Sequence, residues 1–374
     1  MKKIFTLGLF ILMGHHFIMA DETFYIGTLT DHSTSKGIYV GSLNTDTGKL
    51  GVMKVAIEVK NPNFLAISPD QKFIYAAIST WNGSAVNAFA VQPDGSLTLL
   101  NEKPSGGEGA CHVTVDKTGH NVFVANYNAG DIACFQTKPD GSLDQRTAFM
   151  TFTGSGPDAA RQKKSYAHSV YTDPENKHLY SCDLGSDSIW TFDFSADKGT
   201  LTASNPPAGK VPPGSGPRHL AFSTDGKFVY VANEMGHTIN VFSRNAGTGE
   251  LTSIQNVSTL ATGTSDEGVT VAEVVCHPSG KWLYVSNRGC DTITQFTIGD
   301  DGKLTFVGSV PSVVNFPRSF AIDPSGKWLI AAGQKDDRIA VLKIDPSTGA
   351  LTATDQITGV GTPVCVLFVP PVKS

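Results

Sequence analysis

The sequence lacks the signatures of most well-marked enzyme classes. Charge is sparse and nearly balanced: Lys and Arg number 29 against 34 Asp and Glu in 374 residues, a formal net charge of −5. No basic run or patterned basic helix is present, which argues against nucleic acid as a partner. There is no H-E-x-x-H, Walker-type glycine loop, dinucleotide fingerprint or G-x-S-x-G elbow, so no motif calls for a metal or another cofactor. Cysteine is limited to Cys111, Cys134, Cys182, Cys276, Cys290 and Cys365, with no C-x-x-C pair. Their wide spacing leaves both buried free thiols and a disulfide framework open.

Long hydrophobic runs are also missing beyond the first residues. The one concentrated apolar stretch, Ile4 to Met13, follows Lys2 and Lys3 and is succeeded by Ala20 before Asp21 and Glu22. A short basic start, an apolar segment too short to span a bilayer and a small residue at the end read as a secretory signal peptide over residues 1–20. The expectation is an exported protein, periplasmic or extracellular, whose residues 21–374 form a single domain with no membrane partner after the signal is removed.

What the sequence does have is turns and repetition. It holds 38 glycines and 20 prolines with 40% hydrophobic residues, a composition suited to an all-β protein. Two independent signals each count to seven. The first is Gly-x-Leu, at Gly48, Gly95, Gly141, Gly199, Gly249, Gly302 and Gly349, each with leucine two residues on. Glycine supplies the positive φ of a tight hairpin, and the leucine opens the returning strand. The second is the strand–turn–strand–turn–strand pattern of "CHPSGKWLYVSNRGCDTITQF" from Cys276, with copies from Phe222 and Ile322. Its middle-strand residues align as Tyr25, Tyr75, Phe123, Tyr180, Tyr230, Tyr284 and Ile330. A period near fifty residues with four strands per unit predicts a seven-bladed β-propeller with four-stranded blades. The first unit lacks its leading strand, and "TPVCVLF", Thr362 to Phe368, is the segment expected to supply it and close the ring.

Polar residues collect at one end of this repeat. Twelve positions before the aligned residue stand Asn63, Cys111, His168, Arg218, Ala272 and Arg318. Eleven before stand Phe64, His112, Ser169, His219, Glu273 and Ser319, and four after stand Ser79, Tyr127, Leu184, Glu234, Arg288 and Gln334. Between these points the strands carry plain core residues. Strand alternation sends neighbours to opposite faces, so one of Arg218 and His219 is expected in the channel and the other between blades. Arginines beside a carboxylate and a histidine suit an anionic ligand and general acid–base work. His120, His178, His237 and His277 fall in or next to turns and are expected to be solvated.

The segments "SKGIYV", "NPNFLAISPD", "ACHVTVD", "VFVANYNAGDIACF", "AHSVYTDP", "VPPGSGPRHLAF", "YVANE", "YVSNRG", "FPRSFAIDPSG" and "TPVCVLF" together resemble the lactonase seven-bladed β-propeller family over nearly the whole chain beyond residue 20. The resemblance implies His168 and Glu234 as acid–base residues, with Arg218 and Arg288 binding substrate and His112 and Glu273 as pocket neighbours. It implies a small anionic lactone or carboxylate as substrate. The leading expectation is metal-independent hydrolysis of a sugar-acid lactone, as in 6-phosphogluconolactonase. Cycloisomerisation by a muconate-type lactonizing enzyme, and an exported propeller that only binds a ligand or protein, are the alternatives. The chain departs from the family pattern at "AAIST" and "AAGQ", both on the expected pocket rim.

Overall fold

A computed structural model describes residues 21–80 and 83–370, with the side chains of 205–208 left aside. The expected signal peptide over residues 1–20 lies outside the described residues. The described chain forms seven four-stranded antiparallel sheets. Blades 2 to 7 take consecutive strands over 62–104, 110–151, 167–210, 217–258, 270–311 and 317–359. Blade 1 combines Asp21–Thr28, Gly37–Asn44 and Lys54–Glu58 with the C-terminal strand Pro363–Phe368 on its inner side. Phe24 pairs with Phe368 and Ile26 with Val366, so the two chain ends share a sheet. The innermost strands contact one another in cyclic order through Pro363–Phe368, and the ring has no open edge between first and last blades.

The two sevenfold sequence signals turn out to touch. Four of the five aligned tyrosines donate their hydroxyl to the turn glycine's carbonyl in the next blade: Tyr25 to Gly95, Tyr75 to Gly141, Tyr180 to Gly249 and Tyr284 to Gly349, at 2.5–3.0 Å, while the Tyr230 hydroxyl has no partner among the described residues. Where the hydroxyl is absent another group takes its place. In blade 7, Ile330 has none, and Trp328 donates its indole N–H to Thr45 of blade 1 at 2.9 Å. Trp328 also packs on Gly48, where a Cβ would lie 2.4 Å from its ring. The repeat therefore encodes the contact between blades as well as the strands within them. Each interface is filled by apolar residues from two neighbouring sheets, for example Tyr230, Val241, Val271, Leu283 and Phe296 between blades 5 and 6.

Two expectations about side chains change. His178 and His277 stand beside turns but are buried, at 4% and 6% exposure. His178 packs on Gly249 of the next blade and its Nδ1 meets Asp173 Oδ2 at 2.8 Å. His277 Nε2 contacts the Gly326 carbonyl at 2.8 Å. His178 fills the place that Trp328, Phe73, Phe228 and Trp282 take against the corresponding glycines, and His277 packs on Gly326 of the next blade, so turn position does not imply solvation. His120 is exposed and His237 is half-buried. All six thiols are free, with Cys276 and Cys290 half-buried and the others buried.

The remaining feature that positions the site is a β-bulge. In every blade the pairing of the innermost strand with its neighbour slips by one residue near its start. The extra residues include Asn63, Cys111, His168, Arg218 and Arg318. A bulge re-aims side chains that strict alternation would send apart.

Candidate functional site

Because of the bulges, polar side chains gather at the end of the channel where the innermost strands begin. A cavity of about 300 Å3 there is lined by Asn63, Ser79, Gly109, Cys111, Tyr127, Asn128, Arg161, His168, Glu234, Arg288 and Arg318. Asn63, Cys111, His168 and Arg318 are bulge residues. Ser79 and Arg288 lie at the ends of second strands, and Tyr127 and Glu234 just follow theirs. Arg161 comes from the loop joining blades 3 and 4.

Glu234 is the hub. Its Oε1 accepts from Arg161 Nη2 at 2.6 Å, and its Oε2 meets Arg218 Nε at 3.2 Å and Arg288 Nη2 at 3.0 Å. Burial alone would push this carboxyl up, but the guanidiniums of Arg288, Arg218 and Arg161 win and hold it at about 2. It is an anion at any ordinary pH and a weak proton acceptor. Arg218 stands behind it, donating from Nη1 to the Ala272 carbonyl in the next blade at 2.8 Å. His219, its neighbour in sequence, lies among the rings of His112, His168 and Phe64 in the channel.

Two ionisable groups in the cavity remain uncommitted among the described residues. Arg318 makes no hydrogen bond or ion pair among the described residues, and burial with repulsion from Arg218 and Arg288 lowers it to about 9. His168 is 5% exposed, and its Nδ1 lacks a partner among the described residues. Burial, then the positive field of Arg218, keeps its pKa well below 6.5, so the ring is neutral near neutrality. The Cys111 thiol is pushed up to about 12 by burial and stays protonated. Among the described residues the guanidiniums of Arg161, Arg218, Arg288 and Arg318 surround the one carboxylate of Glu234, so positive charge is in surplus at this end of the channel. Among the described residues no cluster of three or more His, Cys, Asp or Glu side chains gathers to hold a metal.

The six residues singled out by sequence therefore divide. His168, Glu234 and Arg288 line this cavity and Arg218 braces it from behind. His112 and Glu273 line a different chamber, at the opposite end of the channel. The septum between the chambers holds His219, whose ring centroid lies 5.2 Å from that of His168 and 5.3 Å from that of His112. Arg161 carries no repeat signal in the sequence, because it occupies an irregular loop with no repeat position. Arg318 sat among the aligned positions, in "FPRSF", and nothing in sequence distinguished its free guanidinium from a paired one.

Comparison with known proteins agrees with this architecture. The sequence profile described as lactonase, 7-bladed beta-propeller, matches residues 23–368. A 6-phosphogluconolactonase of Bacillus subtilis is 33% identical, over 92% of this chain and 97% of its own. The crystal structure of a candidate 6-phosphogluconolactonase from Bacteroides fragilis superposes with TM-score 0.87 at 37% identity, covering 93% of this chain and 98% of that one. The Pseudomonas aeruginosa periplasmic gluconolactonase gives TM-score 0.87 at 28% identity, covering 94% and 99%. With its seven blades, its closing strand and a profile match from end to end of the ring, the chain belongs to the lactonase seven-bladed β-propeller family.

Proposed function

We propose that the chain hydrolyses a sugar-acid lactone carrying an anionic group, of the 6-phosphogluconolactone type, in the cavity around Glu234. The observation that carries this reading is the pairing, in one cavity, of a neutral His168 with an uncommitted Arg318. His168 takes a proton from the attacking water. The tetrahedral oxyanion forms against Arg318 and Arg288, where fixed cations stabilise charge that develops only in the transition state. His168 then returns the proton to the ring oxygen as its bond to the carbonyl carbon breaks. Net reaction adds one water and yields a hydroxyl, a carboxylate and one proton. Glu234 aligns Arg161, Arg218 and Arg288 instead of moving the proton, since its carboxylate is held at about 2. The surplus positive charge supports a substrate with an anion beyond the lactone itself.

The test is hydrolysis of 6-phosphogluconolactone and unphosphorylated gluconolactone, each with and without chelator. His168→Gln is expected to lower kcat by about 100-fold or more, and Arg318→Ala to lower kcat/KM for the phosphorylated substrate. Unchanged rates in both variants overturn the assignment.

A second reading has its own support. Lys2, Lys3 and the apolar run from Ile4 to Met13 suit export of residues 21–374 as one domain, and a periplasmic gluconolactonase is among the similar structures. In that setting the substrate is an unphosphorylated lactone. The ratio of kcat/KM for the two lactones decides between them.

A further inference from the structure

The chamber at the other end of the channel is not used by lactone hydrolysis as proposed. It measures about 540 Å3, within the roughly 300–1,000 Å3 typical of small-molecule sites. Its walls are the innermost strands below the bulges, with Val113, Leu220, Val274, Phe320 and Val366 among the apolar side chains. Among the described residues no lysine or arginine lines it, and Glu273 is the one lining carboxylate. The Glu273 side chain is 10% exposed. Its Oε1 accepts from the Val274 N–H at 3.2 Å and meets His219 Nδ1 at 2.9 Å. Its Oε2 has no hydrogen-bond partner among the described residues. The chamber thus joins an apolar wall to one carboxylate oxygen whose lone pairs are free.

We propose that this chamber is a second binding site, for a small organic cation with a hydrocarbon body and a protonated amine head that pairs with Glu273 Oε2. An organic anion would meet a carboxylate with no cation among the described lining residues to offset it. A neutral alcohol would cover the walls and leave the carboxylate uncompensated. A hydrated metal ion would leave the walls wet.

The groups around Glu273 set the pH dependence. They are His219 and Arg218 from blade 5, His112 from blade 3, Tyr171 from blade 4, Arg318 from blade 7 and Cys365 from blade 1. Burial outweighs the two arginines and raises the Glu273 carboxyl to about 7. An ammonium group favours the ionised carboxyl, so binding expels the proton that the empty site partly holds at neutrality. Affinity therefore rises with pH through this range.

Calorimetric titration of the full chain with n-hexylamine, n-hexanol and hexanoate tests the proposal at about pH 6 and about pH 8. The amine is expected to bind one per chain, about tenfold or more tighter than the alcohol at the higher pH. Its affinity should fall at the lower pH, and hexanoate should not bind. Glu273→Gln should bring the amine down to the level of the alcohol while the alcohol is unchanged. If Glu273→Gln does not fold, Ala321→Phe, which narrows the chamber and keeps the carboxylate, should abolish binding of both amine and alcohol. Equal affinities of amine and alcohol in the wild type, or amine binding that survives Ala321→Phe, overturn the proposal.

Discussion

Replacing Glu234 by glutamine removes the charge that three guanidiniums share. Arg218, 2% exposed, has Glu234 as its one ion-pair partner among the described residues and cannot reach water without displacing core. Breaking a buried pair from one side leaves the other charge uncompensated, at about 3–5 kcal/mol. Glu234→Gln is therefore expected to lose stability of that order in denaturant unfolding, along with lactonase activity. A loss confined to activity, with stability unchanged, would show that the arginines find other partners. His168 differs from Glu234 in that its Nδ1 has no partner among the described residues. His168→Gln should cost turnover with little change in unfolding midpoint. Sequence alone does not make this distinction, because both residues stand at equivalent polar strand ends. Only the three distances to Glu234 show which is committed.

At the scale of the strand and turn, much was legible because the repeat encodes blade-to-blade contact. Gly349 has φ +71°, and a Cβ there would lie 2.5 Å from the Trp282 ring and 2.6 Å from the Gln295 amide. Gly349→Ala combines backbone strain with overpacking and is expected to cost about 1–3 kcal/mol. The control is Gly263→Ala, whose added Cβ meets nothing within 4 Å. It shares the positive φ of +83°, so the difference between the two thermal midpoints isolates the packing term. Equal losses would mean that Trp282 moves aside freely. What alternation hid was the bulge. Taken alone, the period of two sends His168 and Ser169, or Arg218 and His219, to opposite faces. The one-residue slip in every innermost strand lets His168 line the polar cavity while its neighbour Ser169 donates to the Arg218 carbonyl of the next blade at 2.7 Å. A slip of this kind leaves the residue count between turns almost unchanged, and so leaves no mark on the spacing.

The whole ring carries an electrostatic cost in its channel, and acid should expose it. His112, His168 and His219 are all held neutral by burial, with pKa values well below 6.5. The unfolded chain takes up protons at these residues as pH falls through about 6.5, and the folded chain does not, so stability declines from that point downward. Glu234 adds to the decline at lower pH: its contribution is present above the ordinary 4.5 and is lost as pH falls toward about 2. Glu273 acts the other way. Its carboxyl, raised to about 7, keeps a proton that the unfolded chain releases above 4.5, so its favourable contribution fades as pH rises from 4.5 to 7. Three imidazoles oppose one carboxyl, and the net expectation is a thermal midpoint lower at about pH 5 than at about pH 7, falling more steeply below about pH 4.5. Removing the opposing group sharpens the effect. Glu273→Gln should show a larger drop between the two pH values than the wild type, whatever its midpoint at neutrality. A wild-type midpoint flat from about pH 7 to about pH 5 would mean that the septum admits protons without loss of structure, and that its three imidazoles are not the buried neutral groups their surroundings make them.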